Sequence, residues 1–196
     1  MNDDDIRYIK EYYPVEDMNI YVRMGVYDRE TLIDLWCEQM LDPADYDENM
    51  RHEVARIIDW LQSELDEEMA EWPDVTDCDL LDRVFARLTS QGIVCSHYVG
   101  LEETDGFGTG SREYHRHPDK SRVVGYCFYT ADCMKSAIVE AGMYISYGSL
   151  PKEFEPAEVV KVGQAIMSAF EAEGFEVQWD GDPDRALLLV DFLWQK

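Results

Sequence analysis

The amino-acid sequence predicts an α+β fold, in which an acidic helical N-terminal region packs on a mixed sheet of about five strands with helices on one face. Up to about residue 90, apolar residues recur every three or four positions, as they do on the buried side of a helix. After residue 90 the spacing changes to two in several short segments, which is typical of strands. Further helical segments separate these strands, so the sheet and its helices belong to one fold.

Residues 1–73 are predicted to form the acidic helical region. Helical spacing before Asp28 is interrupted near Pro14, and Asp28 can cap the helix that follows it. A longer helix is predicted from about Asp47 to Trp72, because Pro73 then ends it. Its apolar residues share one face, which needs a surface to pack on: Met50, Val54, Ile57, Ile58, Leu61, Leu65 and Met69.

Residues 74–196 are predicted to form the α+β domain, and the two regions are expected to make one compact unit. Thr76 and Asp79 have the spacing of a capping box, which opens a helix that Gly92 ends. The elements after it are, in order, strands at 93–99 and 123–129, a helix between Thr130 and Gly142, a strand at 143–147, a helix between Pro156 and Gly174, and strands at 175–179 and 186–194.

The composition excludes several classes of function. The chain has 196 residues, with 17 Lys and Arg against 42 Asp and Glu, which gives a net charge of −25. Such a charge repels the phosphates of nucleic acids and of anionic membranes. No apolar run approaches the roughly 18 residues that a membrane helix needs, and the acidic N-terminus is unlike a signal peptide. We therefore expect a cytoplasmic protein that binds neither nucleic acid nor membrane.

The cysteines favour the same compartment. All five are scattered, and no two of them form a Cys-x-x-Cys pair: Cys37, Cys78, Cys95, Cys127 and Cys133. This usage is typical of reduced thiols in a cytosol, and the spacing does not fit a zinc site. The sequence accordingly predicts no bound metal and no cofactor.

Three motifs in the second region are distinctive: Trp72-Pro73-Asp74-Val75-Thr76-Asp77-Cys78-Asp79, Gly125-Tyr126-Cys127-Phe128-Tyr129 and Val177-Gln178-Trp179-Asp180-Gly181. They resemble a bacterial family catalogued only as a domain of unknown function, and the similarity runs from about Tyr27 to the C-terminus. The resemblance implies an acidic, cytosolic, stand-alone protein and no particular activity or site. One departure is the strand Cys95-Ser96-His97-Tyr98-Val99-Gly100, where the family tends to Leu-Gln-Asn-Ala-Gly-Tyr.

The 47–72 helix carries a cluster of carboxylates, which we call the acidic face: Glu64, Asp66, Glu67, Glu68 and Glu71. A solvated helix surface explains such residues, but an acidic surface also speeds the encounter with a basic protein by electrostatic steering. The sequence holds no complete catalytic constellation. The leading hypothesis is therefore a non-catalytic module that binds a basic partner protein, as an inhibitor or an immunity protein does.

The segment from Glu102 to Lys120 is predicted to be a long loop and holds the one basic island of the chain. Loops of this length are often functional. Its glycines at 106, 108 and 110 do not fit a phosphate-binding loop, since no helix is predicted directly after them. An anion site, a contact with the protein's own acidic helices and a solvated loop all remain open. The candidate ligand residues are Asp105, Arg112, His115, Arg116 and His117.

Two other functions are kept as alternatives. One is a small-molecule-binding protein or enzyme that uses the 102–120 loop, with His97, His115 or His117 as base. Cys95 lies two residues before His97, but a hydrogen-bonded strand histidine explains that position more simply. The other alternative is a self-associating structural subunit that buries an aromatic sheet face. The sequence specifies no oligomeric state. The aromatic residues concerned are Tyr126, Phe128, Tyr144, Tyr147, Trp179, Phe192 and Trp194.

Overall fold

The computed structural model describes residues 3–41, 48–100, 103–150 and 155–196. Within these residues the chain forms eight α-helices and a mixed five-stranded sheet, which confirms the predicted α+β class. The chain divides into two compact units, which we call the N-terminal unit (1–74 with 195–196) and the sheet unit (75–194). How the two regions associate stays a prediction.

The N-terminal unit consists of helices, as predicted. They are α1 (Asp3–Tyr12), α2 (Val15–Met24), α3 (Arg29–Leu35), which continues as a π-helical turn (Trp36–Met40), and α4 (Glu48–Met69). Pro14 separates α1 from α2, and the Asp28 carboxylate caps α3 by accepting a hydrogen bond from the Thr31 N–H at 2.8 Å. The predicted start of α4 at Asp47 lies outside the described residues.

The apolar face predicted for α4 forms much of the core of this unit. Val54 and Ile57 are fully buried, and they pack with Trp36 of the π-helical turn. Met69 is the exception, since it is 43% exposed at the last residue of the helix. Helical spacing thus identified the buried face, and the error lies only at the end where the helix leaves the core.

The sheet unit contains every strand that the sequence predicted. Its elements are α5 (Asp77–Ser90), β1 (Ile93–Ser96), α6 (Glu103–Arg116), a 3-10 turn (Lys120–Arg122), β2 (Gly125–Phe128), α7 (Ala131–Glu140), β3 (Gly142–Ser149), α8 (Pro156–Ala172), β4 (Glu176–Gln178) and β5 (Leu187–Val190). The strand order is β1-β2-β3-β5-β4, so β1 and β4 are the edges. Only β1 and β2 run parallel, whereas the other neighbours are antiparallel.

The start of α5 is capped as the sequence predicted, whereas both ends of α7 differ from the expected pattern. The capping box is present: the Asp79 carboxylate accepts from the Thr76 N–H at 2.9 Å, and the Asp79 N–H donates to the Thr76 hydroxyl at 3.3 Å. Thr130 precedes α7 but makes no side-chain cap. Ala141 rather than Gly142 takes the left-handed conformation that ends α7, with φ +52°. Gly142 instead begins β3.

The segment predicted as the 102–120 loop is largely helical, which corrects the sequence prediction. Its residues 103–116 form α6, and Glu102 lies outside the described residues. Glycine is a poor helix former, so Gly106 and Gly110 argued against a helix. Contact with β2 explains why glycine occupies these two positions. A Cβ atom on Gly106 would lie 2.0 Å from the Phe128 ring, and one on Gly110 would lie 2.6 Å from the Tyr126 ring. The glycines let α6 lie directly on β2.

Helices therefore lie on both faces of the sheet, and the predicted placement on one face is incomplete. Successive residues of a strand point to opposite faces. Tyr126 and Phe128 of β2 face α6, whereas Gly125 faces α8, since a Cβ there would lie 2.7 Å from Val162. The prediction missed the helix on the second face because α6 was expected to be a loop.

Candidate functional site

The acidic face lies on the C-terminal half of α4 and just beyond its end. All five of its side chains are exposed, whereas Leu61 and Leu65 on the same helix are buried. The carboxylates are therefore accessible to another molecule, whereas the buried leucines of α4 belong to the core.

Three of these carboxylates have partners within the N-terminal unit. Glu68 accepts a hydrogen bond from the guanidinium of Arg23, and this bond lowers the pKa of Glu68. Glu64 accepts from the Trp60 indole N–H at 3.2 Å, and Asp66 accepts from the side-chain amide of Gln62 at 2.8 Å. The last two partners are neutral, so they orient the carboxylates without balancing their charge.

Other arginines of this unit are committed elsewhere. Arg29, Arg51 and Arg56 contact carboxylates outside the acidic face, namely Asp59 at 2.6 Å, Asp34 at 2.6 Å and Glu53 at 2.7 Å. The bonds from Arg29 lower the pKa of Asp59. Residues 1–74 hold 22 acidic and 6 basic residues, a net charge of −16. The acidic residues of this segment therefore outnumber its basic residues by 16.

The position of the acidic face is unfavourable for α4 itself. The C-terminal end of a helix carries a partial negative charge, and each carboxylate near it costs about 0.3–1 kcal/mol. Glu64 and Glu68 are also four residues apart, a spacing at which like charges repel by about 0.2–0.5 kcal/mol. The last turn of α4 contains no basic residue that would offset this. The acidic face thus lowers the stability of the helix that carries it.

The second set of candidate residues is spread along α6 and the turn after it: Asp105, Arg112, His115, Arg116 and His117. Arg112 donates to the Thr109 hydroxyl at 2.8 Å, and Arg116 donates to the Glu113 carboxylate at 3.0 Å. Both bonds span three residues of the helix. Asp105 and His115 lie about 15 Å apart along the helix axis, given a rise of about 1.5 Å per residue. The five residues therefore do not converge on one point.

A groove along the edge strand β1 brings together residues that the sequence singled out separately. Two clefts of about 240 and 660 Å³ share Cys95 and Glu113 in their walls. The smaller cleft also contains Arg116 and His117, and the larger one contains His97. We call the two clefts together the β1 groove. Residues of the segment that was predicted to be a loop thus border the same groove as His97 and Cys95, because α6 lies beside β1.

His97 is held by neighbours on both of its ring nitrogens. Its Nδ1 lies 3.1 Å from the Tyr129 hydroxyl, and its Nε2 lies 3.7 Å from an Asp82 carboxylate oxygen. Burial raises the pKa of Tyr129, so the phenol keeps its proton and remains a hydrogen-bonding partner for Nδ1. This is the hydrogen-bonded histidine that the simpler interpretation of the sequence described.

The sequence prediction missed a third cleft, at the end of the sheet where β5 begins. It has a volume of about 240 Å³ and is lined by Phe107, Tyr126, Ser146 and Arg185, among others. Arg185 is already paired with Asp180 at 3.1 Å. The available signal was the pair Ser146 and Ser149, two serines of β3 that are only 4% and 2% exposed. The cleft offers hydroxyl groups and aromatic rings, but the Arg185 guanidinium already binds a carboxylate of the neighbouring turn.

Most of the aromatic residues considered for self-association are internal to the sheet unit. Those under 10% exposed are Tyr126, Phe128, Tyr147, Phe192 and Trp194. Tyr144 is 41% exposed. These rings form core rather than a continuous open surface. Among the helices that the structure describes, none combines the length and the apolar character needed to cross a bilayer.

Comparison with known proteins assigns the chain to a family. The family model for a domain of unknown function, DUF6891, matches residues 10–196. This match confirms the resemblance to a family of unknown function and extends it to nearly the whole chain. No curated protein and no solved structure matches.

Proposed function

Because the chain belongs to the DUF6891 family, whose function is unknown, we propose a function from its own geometry. The protein is a non-catalytic module that binds a basic partner protein through the acidic face of α4, as an inhibitor or an immunity protein would. The observation that carries this proposal is the exposure of all five carboxylates along the C-terminal part of α4 and just beyond it, in a unit whose arginines are largely committed elsewhere.

Electrostatics explains how such a surface would work. The surplus negative charge of the N-terminal unit attracts a basic protein over about a Debye length, roughly 10 Å at moderate salt. Contact then replaces repulsion among neighbouring carboxylates with attraction to the partner's lysines and arginines. The stability that α4 loses by carrying these charges fits a binding surface, since functional sites are often retained at the expense of stability.

The non-catalytic part of the proposal rests on the candidate bases. Both ring nitrogens of His97 face neighbouring groups, and a base needs a free lone pair near its substrate. His115 is exposed on α6 and lies outside the walls of the β1 groove, while His117 Nδ1 lies 2.8 Å from the Asp119 carbonyl. We further place the module in the bacterial cytosol, because its cysteines are free thiols.

We expect the variant E64Q/D66N/E67Q/E71Q to bind the basic partner at least about tenfold more weakly, which corresponds to about 1.4 kcal/mol. The amides keep the hydrogen-bond acceptors for Trp60 and Gln62, and Glu68 keeps its contact with Arg23. Tagged protein would capture basic proteins from a native bacterial lysate at 50 and 300 mM salt. The dissociation constant would then be measured with the purified partner.

A matched control separates the acidic face from total charge. The variant E11Q/E38Q/E171Q/E176Q has the same net charge but changes four exposed carboxylates elsewhere. It should bind the partner within twofold of the unchanged protein. The proposal is wrong if both variants lose the partner equally, or if the captured proteins are indifferent to salt.

The same neutralised variant should also be more stable. Removing carboxylates from the C-terminal half of α4 relieves repulsion and the unfavourable helix-end interaction, which together are worth about 0.5–2 kcal/mol. Urea unfolding of the N-terminal unit measures this gain. A loss of stability would mean that these carboxylates hold the structure together, and the binding result would then have to be attributed to unfolding.

A second candidate function is binding of a small molecule in the β1 groove. The observation that favours it is that residues of three chemically active types, Cys95, His97 and Glu113, border the larger cleft. A metabolite panel should then contain a compound that raises the melting temperature. That shift should disappear in H97A and persist in H115A, whose histidine is not in the groove wall. Equal shifts in both variants would place the compound elsewhere.

A further inference from the structure

We propose that Cys95 and Cys127 are a modification site, at which a hydroperoxide converts two thiols into a reversible disulfide. Cys95 on β1 and Cys127 on β2 are register partners in the parallel strand pair. Their Sγ atoms lie 3.4 Å apart. This inference does not depend on the proposed binding function, because it concerns the sheet unit and the β1 groove.

The backbone geometry suits a disulfide. Neighbouring strands lie about 4.8 Å apart, and disulfides join Cα atoms separated by about 4.4–6.8 Å. Register partners also point to the same face of a sheet, so both thiols lie on one side of it. Closing the Sγ distance from 3.4 Å to a bond of about 2.05 Å requires a movement of roughly 1.4 Å. Small side-chain rotations supply that movement without separating the strands.

The two thiols differ in access, which assigns their roles. Cys95 is partly exposed on the edge strand β1, so a small oxidant can reach it. Cys127 is only 1% exposed. Burial and the neighbouring Cys95 raise the pKa of Cys127, which keeps it protonated and unreactive toward the oxidant itself. Cys95 is therefore the residue that meets the peroxide, and Cys127 is the residue that resolves it.

The reaction takes two steps. The Cys95 thiolate, having released its proton to water, attacks one oxygen of the hydroperoxide, the O–O bond breaks, and the departing alkoxide takes a proton and leaves as an alcohol or water. Cys95 is then a sulfenic acid. The Cys127 thiol loses its proton, its sulfur attacks the Cys95 sulfur, the S–O bond breaks, and the hydroxyl leaves as water. Overall, two thiols give up two electrons and the peroxide is reduced.

The disulfide would change the β1 groove. It changes Cys95, which lies in the strand that borders both clefts, and covalently ties the edge strand β1 to β2. Residues 96–126, which include α6, then form a closed loop with fewer unfolded conformations. A reductant such as a dithiol reverses the change, so the site would respond to the redox state of its surroundings.

The test counts thiols. The purified full chain is treated with hydrogen peroxide, quenched, denatured and alkylated, and its intact mass is measured. We expect the number of alkylated cysteines to fall from five to three, and to return to five after treatment with dithiothreitol. Tandem mass spectrometry of the unreduced digest should show the peptide of Cys95 linked to that of Cys127. Five alkylated thiols, or a link between any other pair or between two chains, would overturn the proposal.

Three single variants make the assignment specific. C95S should keep all four remaining thiols, whereas C133S, which changes a different buried cysteine, should still lose two. C127S should accumulate a sulfenic acid on Cys95 that dimedone traps. Raising the pH should speed disulfide closure in the unchanged protein, because the raised pKa of Cys127 limits its thiolate at neutral pH. Should a variant fail to fold, the peptide map of the unchanged protein still decides the question.

Discussion

Replacing Gly106 by alanine should destabilise the sheet unit by about 1–3 kcal/mol, the usual cost of forcing an extra methyl group into a packed core. The new Cβ would lie 2.0 Å from the Phe128 ring. That ring cannot move aside easily, because Phe128 is 1% exposed and is in ring contact with Tyr126 and Phe107. The helix α6 would have to move away from β2, which would expose the buried rings of Tyr126 and Phe128.

Gly108 provides the matched control on the same helix. A Cβ at Gly108 has no atom within 4 Å among the described residues, so alanine there should stabilise α6 by up to about 1 kcal/mol. Urea unfolding followed by circular dichroism compares the two variants, with the transition of the sheet unit analysed separately. Opposite signs are expected. If the two substitutions had the same effect, Gly106 would not be seated against β2 as described.

Replacing Phe170 by alanine should cost about 3–5 kcal/mol, the largest effect we expect for a single substitution in this chain. Phe170 lies on α8 and is fully buried. Its ring meets Phe85 of α5 at 6.5 Å and Phe175 at 5.6 Å, both edge-on. Truncation would leave a cavity where α5 and α8 pack on the sheet, and the surrounding rings can collapse into it only partly.

Two companion variants check this interpretation. F170L removes less volume and should cost less than half as much. V139A, at a side chain that is 59% exposed on α7, should stay within about 0.5 kcal/mol of the unchanged protein. The measurement is the urea midpoint of the sheet unit. A small effect of F170A, comparable with that of V139A, would contradict the buried position of this ring.

Features that depend on neighbouring residues were predictable. The Asp28 cap, the capping box of Thr76 and Asp79, and Pro156 at the first residue of α8 involve residues within a single turn. A spacing of two identified the positions of the strands, and a spacing of three to four identified the buried side of α4. The acidic face was also predictable in this sense, since its five residues are exposed as expected.

Features that join distant parts of the chain were not predictable. Glycines at 106 and 110 made α6 look like a loop, because their purpose is visible only against Phe128 and Tyr126 of β2. The grouping of His97, Cys95 and Glu113 in the β1 groove follows from the position of α6. The contact between the His97 ring and the Tyr129 hydroxyl could likewise not be predicted, since the two residues are 32 positions apart in the sequence.

The sequence by itself determined the α+β class, the order of the strands along the chain, most helix starts and the distribution of negative charge. These properties depend on periodicity, capping and composition, which act over a few residues. The tertiary structure alone decided that α6 is a helix on the second sheet face, and that Cys95 lies beside Cys127. The physical reason is that close approach and strand register are fixed by packing between segments, which no local pattern specifies.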